Sequence, residues 1–366
     1  MVEGIGTAGV VGGGIGGLAA AIALRAAGWE VTVYERAPQF TEVGAGITLA
    51  ANALHALDLL GVGAAVRAGT LEDRRGYARN QRGRILVDAR ISDFTGGLVA
   101  LHRADLIAIL AEAVPADCVR TGTRVVGVHA DGRIETDSGT DRYDLVVGAD
   151  GINSVVRDQL WPDAGPVYRT GIAAWRWVLD LPAPDPVGVI LGRHGEAGVV
   201  PIAGDRTYVF TAGRPGITDL DYFTDWPDPL PKLIAATDRS TVVTDELLEI
   251  DVPRHLWNGR AVLIGDAAHA MRPTLGQGAG MALEDAVTLA ACAPDLAHYS
   301  AARRSRVARM SFLSKHGTRL TAPGSATLAA LRDAAFLATP NKLAVSMFRS
   351  TNRRAIQGWQ PPQPSA

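Results

Sequence analysis

Lysine is nearly missing from this chain. Lys232, Lys315 and Lys342 are its only three, so the first 231 of its 366 residues contain none and arginine carries almost all the positive charge. The net charge of −2 excludes a strongly electrostatic partner such as nucleic acid or an anionic membrane surface. Cysteine is equally scarce: Cys118 and Cys292 form no CxxC and lie too far apart to suggest a disulfide framework. Both read as buried small hydrophobes in a reducing compartment, so the expected location is the cytoplasm. The eight histidines are scattered with no HxH or HExxH, and no metal site is expected. No apolar run reaches the roughly 18 uncharged residues a membrane span requires. The apolar N-terminus has no basic leader, holds Glu3 and is interrupted by Arg25, unlike a secretory signal.

Glycine, by contrast, is plentiful, with 41 residues. In "TAGVVGGGIGGLAAAIALRAAGWEVTVYER" the apolar run 7–11 predicts a buried parallel strand. Residues 18–27, rich in Ala and Leu, predict a helix ended by Gly28 at C′, and 30–34 predict a second strand. Together these make one βαβ unit. Gly12, Gly14 and Gly17 form GxGxxG between its first strand and its helix. The first glycine allows the tight turn, the second lets backbone approach a pyrophosphate, and the third lets helix and strand pack closely. A helix N-terminus adds free N–H groups and a positive dipole end. Glu35, at the end of the second strand, is placed to accept both ribose hydroxyls of an adenosine.

The length suggests two domains, or one large α/β domain with an insertion. Residues 45–70 look helical around "NALHALDLLGV", 72–100 strand-like, and "HRADLIAILAEAV" (102–114) an amphipathic helix. Residues 117–148 predict a small hairpin region with a turn at Asp131-Gly132, ending in the buried strand of "DLVVGADG". Pro/Gly-rich joints at 161–166, 181–188 and 226–231 separate further strand-like runs. The expected architecture is therefore α/β: a discontinuous Rossmann-like nucleotide-binding domain (1–71, 101–164 and 251–320) and an inserted β-sheet domain (72–100 and 165–250). C-terminal helices (321–359) and a disordered tail (360–366) follow.

Three further segments distinguish the dinucleotide. "DLVVGADGINSVVRDQL" puts Asp150-Gly151 after a buried strand, with Ser154 and Arg157 following; Arg157 is a candidate structural partner of Asp150. "LIGDAAHA" puts Gly265-Asp266 after another strand. "LHRADL" puts Arg103 at a helix start. With these motifs, the chain resembles the single-component FAD-dependent aromatic hydroxylases of the p-hydroxybenzoate hydroxylase type. Within them it resembles the salicylate- and urate-hydroxylase-like branch, from about residue 7 to the terminal "WQPP".

The resemblance implies roles for individual residues. Gly12, Gly14, Ile15, Gly16 and Gly17 would hold the FAD pyrophosphate, Glu35 the ribose, with Arg36 near the adenosine and the Val125 backbone at adenine. Arg103 would reach the phosphate and ribityl region, Asp150 would serve FAD and NAD(P)H, and Asp266 would accept from a ribityl hydroxyl. In "LIGDAAHAMRPTLGQGAGMALEDA", Pro273 would pack beside the isoalloxazine. Gly276, Gly278 and Ala279 would bring backbone to the ring edge, with the positive end of a helix aimed at charge that develops on reduction. The implied reaction is hydroxylation of a small aromatic or polycyclic molecule through a flavin C4a-hydroperoxide, with NADH or NADPH as transient reductant and O₂ as co-substrate. A second GxGxxG is absent, and no catalytic triad is needed because the flavin carries the chemistry.

Substrate contacts are less defined. Arg176 alternates with Trp175 and Trp177, so a strand would place it on the opposite face from them. Glu196 and Tyr208 stand where urate-type enzymes use polar contacts. Arg272, with Pro273 the candidate nearest the chemistry, either pairs with an anionic substrate or points to solvent. His269 reads as a structural hydrogen-bonder, and Arg303, Arg304, Arg306 and Arg309 as a solvated helix face. A flavin halogenase is disfavoured: "WRWVLDLP" departs from the WxWxIP spacing and no lysine precedes Lys232. A tailoring epoxidase or Baeyer–Villiger enzyme on the same scaffold, and a non-catalytic FAD-binding sensor, are the alternatives. A monomer or homodimer is expected.

Overall fold

The buried run at the N-terminus forms the strand Gly6–Val11, at the centre of a six-stranded sheet. The structure, a computed structural model, describes residues 5–40, 46–68, 73–95, 97–352, 356 and 358–362. Most of the expected tail, from residue 363, lies outside the described residues. Gly6–Val11 pairs in parallel with Trp29–Tyr34 on one side and Leu145–Gly148 on the other. Ala261–Leu263 and Val119–Arg120 extend the sheet, also in parallel. Such a sheet has helices on its faces, which explains why its strands read as continuous apolar runs instead of alternating ones. Helix Ile15–Ala26 buries eight of its twelve residues and packs against helix Gly278–Cys292. Gly28, with φ +93°, ends the first of these, as its sequence position requires.

A seven-stranded sheet forms the second layer system. Its order is Val243–Glu249, Tyr168–Leu179, Arg206–Gly213, Gly195–Ile202, Gly188–Leu191, Arg75–Asn80 and Ile85–Arg90. Period-two alternation gives it two distinct faces. Trp175, Trp177, Val199 and Val209 point into a separate hydrophobic core with Phe223 and Trp226. Arg176, Glu196 and Tyr208 belong to the opposite face, as their strand registers show.

Two stretches depart from the expected pattern. Residues 46–50 are not helical; Gly46–Ala50 is a strand paired with Leu98–His102, while the helix begins at Ala51. The same pairing takes 98–102 out of the second sheet, whose early contribution ends at Arg90. The short ladder lies between the two sheets: Gly46 is so close to Tyr208 that a Cβ there would sit 2.2 Å from the ring. Neither strand carried an alternation long enough to be read.

The C-terminal helices close the far end of the second sheet. Phe336, Ala344, Val345 and Phe348 pack on Leu86, Val87 and Leu191. Arg332, 8% exposed, donates to the carbonyls of Leu191, Gly192, Leu320 and Thr321 and to Asp333. Replacing it strands these acceptors in a buried joint. Arg332→Met is expected to destabilise the protein by about 2–3 kcal/mol, read by urea unfolding. An unchanged midpoint would show that the clamp contributes nothing.

Candidate functional site

Each glycine of the first turn meets a different constraint. Gly12 has φ +104°, and a Cβ there would lie 2.4 Å from the Ala149 carbonyl oxygen. A Cβ on Gly17 would lie 1.9 Å from the Gly12 carbonyl oxygen. At Gly14 a Cβ would meet nothing within 4 Å: the backbone faces open space. Helix Ile15–Ala26 begins there with no side-chain cap and no acid in its first turn. Its first-turn amides and dipole are thus left for an anion. Ile15 is buried, and Gly16 lies against Ala282 of helix Gly278–Cys292. The Glu35 carboxylate accepts from Gly13 N–H and Ala37 N–H, both at 2.8 Å, and so shapes the loop. Thr123 N–H donates to the Glu35 carbonyl, which runs the segment leading to buried Val125 alongside. Arg36 is exposed at the same end.

The DG and GD loops complete the rim. Asp150 accepts from the Ser154 hydroxyl at 2.6 Å and Val156 N–H at 3.2 Å. Burial pushes its carboxyl up, against those hydrogen bonds. Arg157 does not pair with Asp150. Its guanidinium donates to the Ile152 carbonyl at 2.7 Å and the Ala267 carbonyl at 3.3 Å, tying the two loops together. Asp266 is the one exposed residue in the run 261–270, and its carboxylate accepts no hydrogen bond among the described residues. Arg103 opens helix Arg103–Glu112, where the His102 ring caps Ala104 N–H.

Beneath the GD loop lies a buried charge network. Asp285, fully buried, accepts from Gly265 N–H (2.9 Å), His269 Nε2–H (2.5 Å) and Arg303 Nε–H (2.7 Å). Burial raises its carboxyl, but His269 and Arg303 outweigh that and hold it below its ordinary range. Glu284 accepts from Asn52, Arg303 and Arg306. His269 is structural, as expected. The arginine cluster is not a uniform solvated face: Arg304 and Arg309 are exposed, but Arg303 is fully buried and Arg306 half-buried. The overlooked signal was the acid pair itself, because Glu284-Asp285 within the apolar run "MALEDAVTLA" demands buried cationic partners.

The turn that follows is open. Pro273, Leu275 and Gly276 are exposed, and Gly276 sits in the left-handed region at φ 62°. Helix Gly278–Cys292 starts without a side-chain cap or first-turn acid; a Cβ at Gly278 would meet nothing within 4 Å, and Ala279 is part-buried. Arg272 is bound neither to solvent nor to open space. Its Nε–H donates to Glu249 at 2.8 Å, and Lys315 reaches the same carboxylate at 2.9 Å. Burial works against the Glu249 anion, yet the two cations hold it below its ordinary value. Arg272 therefore anchors the turn to the second sheet. Arg176 is ion-paired with Asp245 on the adjacent strand. Tyr208 is buried, which pushes its phenol up to about 12. Glu196 lies on the same sheet face as Arg176 and Tyr208.

Two uncapped helix starts, two glycines facing open space and an exposed carboxylate on the GD loop fit a long anionic dinucleotide with a polyol linker. Fold and site define a flavin-dependent aromatic monooxygenase. The chain belongs to the FAD binding domain family, whose profile matches residues 6–297. It is 38% identical over 305 residues to aurachin C monooxygenase/isomerase of Stigmatella aurantiaca, covering 77% of this chain and 79% of that protein. It is 32% identical over 353 residues to 6-hydroxynicotinate 3-monooxygenase of Pseudomonas fluorescens, covering 84% and 90%. The solved structure of Klebsiella pneumoniae HpxO complexed with FAD and uric acid superposes with a TM-score of 0.85 at 28% identity, covering 96% of this chain and 98% of that one. Among the described residues no helix is long and apolar enough to cross a membrane, and no cluster could hold a metal ion.

Two substitutions separate packing from binding. Gly17→Ala forces a backbone clash and is expected to lower apoprotein stability by about 1–3 kcal/mol. Gly14→Ala is expected to leave the apoprotein melting temperature unchanged and weaken FAD retention; equal effects in both assays would contradict these assignments. The depressed Asp285 and Glu249 carboxyls contribute stability above their unfolded values, about 4. That stability is lost as pH falls through the lower folded values. Asp285→Asn should cost about 3–5 kcal/mol at neutral pH and flatten the acid limb of the melting-temperature profile.

Proposed function

We propose that this chain binds FAD along the path from Gly12 to Ala279, takes electrons from NADH or NADPH, and hydroxylates a small aromatic or heteroaromatic ring. The observation that carries the proposal is the pair of uncapped helix starts at Ile15 and Gly278, each beside a glycine whose Cβ would meet only open space. A narrow gap joins the two lobes, lined by Glu196, Ala212 and Leu247 from the second sheet, Thr274 from the turn after Pro273, and Thr318 from the long helix Leu296–Thr321.

When bound, FAD supplies the transfer of electrons from the nicotinamide to O₂ and of one oxygen atom to the ring. The chain's own residues bind, orient and exclude water. Gly12, Gly14, Ile15, Gly16 and Gly17 present amides to the pyrophosphate, and Glu35, Arg36 and Val125 border the adenosine. Arg103, Asp150 and Asp266 border the ribityl chain. Gly276, Gly278 and Ala279 carry backbone N–H groups at the positive end of a 15-residue helix, which favours negative charge developing at the ring. Pro273 adds a rigid wall with no donor. No side chain in this reading acts as acid or base; Arg272 holds the turn in place.

The purified protein is expected to carry FAD and to oxidise NAD(P)H faster when an aromatic substrate is present, with little H₂O₂ released. A protein without flavin would end this reading, and stoichiometric peroxide with every ring would reduce it to an effector response. Asp266→Ala is expected to weaken FAD about tenfold or more, as loss of a charged hydrogen-bond acceptor does. Flavin release on dialysis measures this directly.

A further inference from the structure

Helix Ala326–Ala338 has an outer face without a single charge. Its exposed residues are Leu328, Leu331 and Leu337, Thr327 and five alanines. The two charged residues of the helix are engaged with the rest of the protein. Arg332 holds the buried joint described above, and Asp333 accepts from Arg332 at 2.8 Å and from Asn80 at 2.9 Å. The preceding helix, Leu296–Thr321, is the contrast: it exposes Arg304, Arg309, Lys315 and Arg319, as a solvated helix does. Apolar residues continue on both neighbours. Leu320, whose carbonyl Arg332 binds, is 49% exposed. Leu343 and Met347, one turn apart on helix Asn341–Asn352, are 52% and 58% exposed. Phe336 stacks on Phe348 and ties that helix to Ala326–Ala338.

We propose that this face is a homodimer interface, covered by the same face of a second copy of the chain. The inference is independent of the monooxygenase reading. These residues together expose on the order of 700 Å² of apolar surface. That exceeds the largest patch of a typical monomer, roughly 300–600 Å², and approaches each partner's share of a standard interface, about 800 Å². A two-fold axis sets a patch against itself, so an exposed charge near its centre would meet its like; a face with none pairs with itself at no such cost. Alanine lets two helix axes approach closely, and the leucines fill the grooves between turns. Each stretch of the chain outside the described residues has five residues or fewer, too few to cover the face. A membrane surface fits less well, because the face offers neither the cations nor the aromatic rings of an interfacial helix.

The test is sedimentation velocity on the full-length, FAD-loaded protein over a wide concentration range. Wild type is expected to sediment as a dimer. Leu331→Glu and Ala334→Arg each bring like charges together in a self-paired interface, and each should weaken the dimer about a hundredfold or more with flavin content retained. The two are read separately, so a variant that loses its flavin leaves the other to decide. Leu59→Glu, at an exposed leucine of the nucleotide-binding domain, should leave the dimer intact. A wild type that is monomeric throughout, a dimer that survives either substitution on the face, or one lost in Leu59→Glu would overturn the proposal. So would a monomer that co-sediments with phosphatidylcholine vesicles and no longer does so as Leu331→Glu, which would assign the face to a membrane.

Discussion

Two adjacent carboxylates buried at the centre of the molecule constrain everything around them. Glu284 and Asp285 are both fully buried in helix Gly278–Cys292, and an uncompensated pair of anions there would not be tolerated. The partners that neutralise or satisfy them come from three different elements. Arg303 and Arg306 come from the long helix, Asn52 from the helix after the first short ladder, and His269 and Gly265 N–H from the GD loop. The network therefore does more than stabilise. It fixes the start of one helix, the loop that carries Asp266, and the helix that packs on the flavin turn, all relative to one another. Removing one member leaves the others charged and unpaired, so the arrangement is cooperative.

A second set of contacts joins the two lobes. Glu249, at the end of an edge strand, holds Arg272 before the turn and Lys315 on the long helix. Arg157 ties the DG loop to the GD loop through backbone carbonyls alone. The side chains that bear most charge around these loops are thus spent on positioning, while two helix starts are left uncapped and Gly14 and Gly278 face open space. That division suits chemistry carried by a bound flavin, for which preorganised dipoles matter more than titrating side chains.

The glycine turn, the Glu35 position and both Asp-Gly motifs were legible because their constraints are local. A Cβ clash at Gly12 or Gly17 depends on a few neighbouring backbone atoms, and sequence spacing carries that information. The same holds for the parallel strands, whose apolar runs reflect burial on both faces. Arg303 was misread because helical spacing shows which residues share a face but not what that face meets. The alternation of Trp175, Arg176 and Trp177 announced two faces, yet which one enters the second core depended on where Phe223 and Trp226 pack. The strand Gly46–Ala50 was hidden because its partner, Leu98–His102, is distant in the chain.

By itself, then, the sequence determined the nucleotide-binding fold, the cofactor class and the tight glycine turns, because each is written in short-range sterics and hydrogen-bonding needs. Only the tertiary structure decided what the charged side chains do. Arg272 anchors a turn, Arg303 neutralises a buried acid pair, and Arg176 pairs with Asp245 on a neighbouring strand. A charge takes its meaning from its partner and its solvent exposure, and both are set by segments far away along the chain.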